Sequence, residues 1–269
     1  MSLWSSVKSY FVKEPKLNKY GWRPDLPDHR DYLYASAWTG ALPESVDLRK
    51  TCPPIYNQTS LGSCTANASG GSAHYEMLQN GLPAYCPSRL FIYYNTRKIE
   101  GTVGEDSGAT IRGTIKSLAT YGFCDEKLWP YDIRKFTKAP PANAYAAASQ
   151  NKLAAVQYMR VAQTERGLKE CLAAGNTVVF GFTIYDGFES AEVAKTGIAD
   201  LPKPGEKALG GHAVTLVGYE NAQKRFLVRN SWGTGWGMQG YFVIPFSYLT
   251  NPRLAADFWC IKTIPGGKV

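Results

Sequence analysis

A chain of 269 residues, 44% hydrophobic and 19% charged, is long enough to bury a sizeable core, and one unit suits it better than a string of small modules. Its longest apolar runs, such as TVVFGF at 177–182, fall far short of the roughly 18 residues needed to cross a bilayer, so a soluble protein is expected. The net charge of +8 would attract anionic partners, but the basic residues are scattered and no nucleic-acid motif accompanies them. Three scattered histidines and no paired C-x-x-C offer no metal site, and no cofactor is expected.

Residues 1–41 differ in character from the remainder of the chain and read as an N-terminal leader. Leu3 to Val12 has the pattern of a short amphipathic helix, after which Pro15, Pro24 and Pro27 impose an extended path. Trp4, Trp22, Trp38 and several tyrosines are too many aromatics for a disordered tail, so the segment should dock. Two placements stay open: across the cleft of a catalytic domain, as an intramolecular inhibitor, or as an arm on its back. No apolar core or small-residue cleavage site marks a secretory signal. Six cysteines allow at most two bridges if one must stay free, and mostly reduced thiols in the cytoplasm are expected, with release by an unconventional route as the other option.

The body, 42–269, divides by pattern. From Cys64 to Asn80 the sequence is helical and stops at Gly81, and Gly70-Gly71 inside it marks a close approach. Pro87-Ser88 caps a second helix, and Ile111 to Tyr121 forms a third ending at Gly122. These make a helical lobe over about 58–125. After an Ala-rich stretch, Ala139 to Ala155, a helix runs from Thr164 to Ala174 with Gly175 as its stop. The runs TVVFGFTIY, AVTLVGYE, RFLVRNS, GYFVIPF and DFWCIKTI read as strands, separated by turn residues. They predict a twisted antiparallel sheet or half-open barrel over about 126–264. The class is α+β, with the cleft between the lobes as the site, and Gly187 to Gly210 reads as a long loop beside it.

Asn57 to Ala68, NQTSLGSCTANA, carries the chemistry. Cys64 would open a helix, where unpaired backbone N–H groups and the helix dipole favour thiolate, the nucleophilic form. Gln58, six residues earlier, offers an amide donor that with the Cys64 N–H would hold a developing oxyanion. An ordinary packed cysteine fits the same stretch, so a base must be found. His29 sits in a Pro-rich turn. His74 lies ten residues along the same helix as Cys64, about 15 Å away at 1.5 Å per residue. His212 opens the strand GHAVTLVGY. Asn230 follows eighteen residues later, with a side-chain oxygen able to fix the imidazole as the third member of a nucleophile, base and orienter set. Trp232 is placed to cover that bond.

In these residues the chain resembles the papain-like cysteine peptidases. The matches are the Gln58 to Cys64 spacing, His212 with AVTLVGY, the Asn230–Trp232 triplet NSW, and GTGWG-x-x-GY over 233–241. They span about Leu42 to Ile264, and the GWRPDLPDHRDY leader is more like the bacterial branch. In that family the histidine and asparagine stand about 130 to 150 residues downstream of the cysteine. Here they stand 148 and 166 residues on, which implies a modest insertion. The resemblance implies a monomeric thiol endopeptidase acting on polypeptides, with Cys64, His212, Asn230 and Gln58 catalytic and the Gly108 backbone pairing with extended substrate. The chain departs from the family pattern in three places. Leu61 replaces the first cysteine of C-G-S-C, and Glu105 stands where its usual bridge partner would be, so both halves of that bridge are absent. Thr65 replaces an aromatic, and Gly211 replaces an Asp found in many members before the histidine. Two other readings stay open: a thiol acyltransferase or aminopeptidase on the same scaffold, and a non-catalytic peptide-binding relative. The segment Phe246 to Ala255 is a candidate wall of the specificity pocket.

Overall fold

The computed structural model describes residues 19–36, 38–150 and 156–263, and the helix expected over Leu3 to Val12 lies outside them. Helix α1 (Cys64–Gln79) is buried from Cys64 to Met77. Its run of Ala, Ser, Thr and Gly lets neighbours approach from every side, as a helix without a polar face requires. A Cβ at Gly70 would stand 3.2 Å from Ile92 Cδ1, on α2 (Arg89–Glu100). The Ser88 hydroxyl caps α2 by accepting from the Phe91 N–H, and Gly101, in the left-handed region, ends it. Thr110 caps α3 (Ile111–Tyr121) in the same way through the Gly113 N–H. The three helices enclose Leu61, Ala73, Met77, Leu90, Ile92, Leu118 and Phe123. Helix α4 (Ala142–Gln150), in the Ala-rich stretch, packs Tyr145 on Phe91, ring centroids 5.0 Å apart.

The strands are β1 (Ser45–Asp47), β2 (Val156–Arg160), β3 (Val178–Tyr185), β4 (Ala208–Glu220), β5 (Arg225–Arg229), β6 (Tyr241–Pro245) and β7 (Ala255–Thr263). They form one antiparallel sheet in the order β2-β7-β3-β4-β5-β6, with β1 paired to the end of β4. The sheet is open rather than closed into a barrel. Strand β3 is buried on both faces along most of its length, which accounts for its unbroken run of Val, Phe and Ile. One face carries Phe180, Phe182, Val214, Leu216, Phe226 and Phe242 against α5 (Glu165–Ala173). Thr215 reaches α1 from the other, its hydroxyl donating to the Ala68 carbonyl. Strands β1 and β2 were not expected. The stretch 187–210, expected as loop, contains a 3-10 turn (Asp186–Glu189) and helix α6 (Ala191–Thr196). That helix is capped by Ser190 and stopped by left-handed Gly197. It lies between β3 and β4, ahead of α7 (Phe246–Leu249).

The described part of the leader runs extended along the seam between helices and sheet. The Trp22 N–H donates to the Gly211 carbonyl (3.0 Å), the Ala109 N–H to the Gly21 carbonyl (2.7 Å) and the Arg23 N–H to the Ala109 carbonyl (3.0 Å). Farther on, Tyr32 and Tyr34 pair with Arg160 on β2 (Arg160 N–H to the Tyr32 carbonyl 2.7 Å, Tyr34 N–H to the Arg160 carbonyl 2.8 Å). One group of its ion pairs is largely buried: Asp31 bonds both Arg112 and Arg160, and Arg160 also meets Asp25 and Asp257, each at 3.2 Å.

Candidate active site

The fold brings Gln58, Cys64, His212, Asn230 and Trp232 to one place. Gln58 is fully buried. Its Oε1 accepts from the Ser231 hydroxyl (2.7 Å), and its Nε2 donates to the carbonyls of Leu61 and Lys19, both at 3.0 Å. The loop before α1 is thereby tied to the loop after β5, and the Gln58 N–H donating to the Ser231 carbonyl repeats the tie. Cys64 stands at the first residue of α1 with no exposed surface. Its sulfur meets the backbone N–H groups of Ala213, Gly21 and Thr65. Ala213 follows His212 on β4, so the sulfur meets the main chain one residue beyond the imidazole.

His212 is equally buried. Its Nε2 lies 2.8 Å from Asn230 Oδ1, which also accepts from the Ser231 N–H and so cannot turn away. The Trp232 ring stacks on the imidazole with centroids 4.8 Å apart and planes 27° from parallel. Nδ1 is buried and, among the described residues, has no hydrogen-bond partner. A ring with one nitrogen committed and the other unengaged is held in a single orientation. It can accept a proton only at Nδ1.

Electrostatics correct one expectation. The helix terminus was expected to favour thiolate, yet burial pushes the Cys64 thiol up to about 11, against the lowering effect of its backbone donors. Burial likewise pulls His212 down to about 4. Under the leader both groups are neutral near pH 7, because desolvation outweighs the helix dipole.

The other histidines are as read from sequence: His29 is exposed in a turn, and His74 bonds the Tyr56 hydroxyl through Nδ1 at 2.9 Å. All six cysteines are free. Leu61 is a core residue and Glu105 is exposed, in keeping with a missing bridge. The Gly108 backbone is not itself the pairing group. Its N–H donates to the Tyr93 hydroxyl (3.1 Å), and Ala109 makes the strand-like bonds, to the leader. Gly108, at φ +66, supplies room: a Cβ there would stand 2.0 Å from the Gly21 carbonyl oxygen. Gly211, the departure from Asp, receives Trp22 in the same way, a Cβ there falling 2.4 Å from the Trp22 carbonyl oxygen.

Sequence reasoning missed Trp22, Asp257 and Glu189. Trp22 is 8% exposed and packs beside Cys64 with Ala68, Ile111, Ile115, Val179 and Ala213. Glu189 accepts from Lys19 Nζ (3.1 Å) and the Tyr20 hydroxyl (2.6 Å), while Lys19 Nζ lies 3.7 Å from the Trp232 ring centroid. The aromatics of the leader signalled that it docks, and nothing local signalled where.

Residues 42–249 match the model of the papain family cysteine proteases. An uncharacterized peptidase C1-like protein of Acanthamoeba polyphaga mimivirus is 44% identical over 232 residues, 81% of this chain and 74% of that protein. Human cathepsin L2 is 28% identical over 76% of this chain and 60% of its own length. Among solved structures, xylellain, a cysteine protease from Xylella fastidiosa, superposes with a TM-score of 0.85 at 42% identity, covering 94% of this chain and 99% of that one. Procathepsin L 3 of Tenebrio molitor shares the fold at a TM-score of 0.68 and 19% identity. With the family model spanning most of its length, this chain belongs to the papain family of cysteine proteases.

Proposed function

We propose that the chain is a thiol endopeptidase working through Cys64, His212, Asn230 and Gln58, and that it is kept latent by its own leader. His212 Nδ1 takes the proton of the Cys64 thiol. The sulfur then bonds to the scissile carbonyl carbon, and the oxyanion rests on Gln58 Nε2 and the Cys64 N–H. Collapse breaks the C–N bond as His212 returns its proton to the departing amine. Water, deprotonated by His212, attacks the thioester carbon; the C–S bond breaks, the acyl group leaves as the acid, and the proton held by His212 returns to the sulfur. The observation that carries this reading is the unengaged, buried Nδ1 of an imidazole whose Nε2 is fixed by Asn230.

Latency rests on what the leader offers the site. Its Lys19 carbonyl takes the Gln58 donor, while the sulfur faces the Gly21 N–H. A hydrogen-bond donor, not an electrophilic carbon, is presented to the nucleophile, so the leader occupies the groove without being cut. That a continuous chain passes from Lys19 to Asp25 through the seam favours cleavage within polypeptides over removal of single terminal residues.

Gly21→Ala tests both ideas in the full chain, since a Cβ at Gly21 would fall 1.8 Å from the Gly62 carbonyl oxygen and the leader must leave. With an end-blocked, internally quenched peptide, turnover by Gly21→Ala should exceed the parent at least tenfold, and Cys64→Ala in that background should abolish it. Equal turnover removes the latency reading, and cleavage surviving Cys64→Ala removes the peptidase reading.

A further inference from the structure

We infer that Asp257, at the end of the pocket filled by the Trp22 indole, makes this enzyme prefer tryptophan over other large side chains in that pocket. This rests on the peptidase reading above.

The floor of the pocket is built for a flat ring. Gly181 on β3 stands directly opposite Ala213 on β4 and Ala256 on β7. Cross-strand partners share a sheet face, so three adjacent strands present their smallest residues side by side. A Cβ at Gly181 would fall 1.9 Å from Trp22 Cε2, and one at Gly211 2.7 Å from Cε3. Glycine inside a strand weakens it and commonly marks a close approach by a ligand or another backbone. Here the approaching group is an indole, and it lies against the same cluster that contains Cys64.

The end of the pocket is polar. Trp22 Nε1 donates to Asp257 Oδ2 (3.3 Å), and the Asp25 N–H donates to the same oxygen (2.7 Å). Oδ1 of Asp257 receives Arg160 (3.2 Å). Asp257 is 6% exposed and sits at φ +59, an uncommon backbone conformation for a residue other than glycine. Both donors to Oδ2 belong to the leader. Once the leader leaves, Oδ1 keeps its guanidinium and Oδ2 is left without either of them, which is costly in a buried site until an incoming group donates. A cation is the wrong donor. The leader also withdraws Asp25 and Asp31 from Arg160, so that guanidinium keeps Asp257 alone and a second cation would sit against it. A neutral aromatic N–H satisfies the oxygen without that repulsion, phenylalanine fills the floor but not the oxygen, and leucine does neither.

The test uses the full chain carrying Gly21→Ala and end-blocked peptides in which one residue on the acyl side of the bond cut is Trp, Phe, Leu, Arg or Ala, walked through three positions. Residual leader occupancy scales every rate alike, so ratios of kcat/KM report the pocket. At one position Trp should exceed Phe and Arg about tenfold, and adding Asp257→Gly, which removes the carboxylate and suits the positive φ, should bring the Trp-to-Phe ratio to about one. Adding Gly181→Val should turn the order over in favour of Ala. A parent ratio of one or less, or a ratio untouched by Asp257→Gly, overturns the inference while leaving the peptidase standing. Failure to cut any peptide of the set overturns the peptidase reading and this one with it.

Discussion

The main-chain carbonyl of Lys19 accepts a 3.0 Å hydrogen bond from the side-chain nitrogen of Gln58, the donor assigned to the oxyanion. Gln58→Ala should therefore act in opposite directions in two backgrounds. In the Gly21→Ala chain it should lower kcat by about 10²- to 10³-fold, the usual loss for one such donor. In the parent it should loosen the leader and speed alkylation of Cys64. An unchanged kcat in the first case would remove Gln58 from the machinery.

Asp31 ties the leader down at a point remote from the sulfur, and on the proposed latency it would act as a latch. It bonds Arg112 and, at 2.7 Å, Arg160. Asp31→Asn weakens charge-assisted bonds that are each worth about 1.5–3 kcal/mol, so the open population should rise roughly tenfold or more. Turnover of a blocked peptide should rise with it, without change in KM once Gly21→Ala is also present. Turnover equal to that of the parent would show that the leader is held elsewhere.

The pH profile of Cys64 alkylation by iodoacetamide separates closed from open enzyme. In the closed chain the thiol is pushed up to about 11 and His212 pulled down to about 4, both by burial. A raised thiol pKa means that thiolate gathers only as pH climbs toward that value, and a lowered imidazole pKa means that no imidazolium balances it at neutrality. The parent should react slowly at pH 7 and faster as pH rises through 9 to 10. Gly21→Ala, with water readmitted and the thiolate–imidazolium pair formed, should already be fast at pH 7. Superimposable profiles, read by mass spectrometry, would contradict this.

Asn230→Ala removes the acceptor 2.8 Å from His212 Nε2 and leaves the ring held by Trp232 stacking alone. In the Gly21→Ala background kcat should fall by about 10²-fold, the lower end of what a positioned acid–base contributes, with KM little changed. Asn230→Gln, reaching farther with the same amide, should recover part of the loss. A purely structural role would move the melting temperature and spare kcat.

The four positions proposed to react stand out because each announces itself over a few residues: a glutamine six residues ahead of a cysteine, that cysteine opening a helix behind a small-residue step, a histidine at the head of a buried strand, an asparagine in a tight aromatic turn. The helix ends were legible for the same local reason, as Ser88, Thr110, Gly101 and Gly122 show. Helix α6 carried comparable signals at Ser190 and Gly197, but at six residues its apolar repeat is too short to stand out from a loop. The path of the leader was not legible at all. It depends on Gly62, Gly108 and Gly211 arriving from three separate parts of the chain to leave a slot one backbone wide. Asp257 was hidden likewise, since its carboxylate matters only because β7 carries it to the end of the Trp22 pocket. The candidate wall, Phe246 to Ala255, ends just short of that position.

The leader reaches the groove while still joined to the body through the stretch between Tyr34 and Ser45. Its occupancy is thus unimolecular and does not fade on dilution, because a short tether holds it at an effective concentration on the order of millimolar. One nick in that stretch would change the order of the reaction: the released strap would have to find its groove again from bulk solution. Its return would slow in proportion to dilution, and the proposed latency would come to depend on how much protein is present.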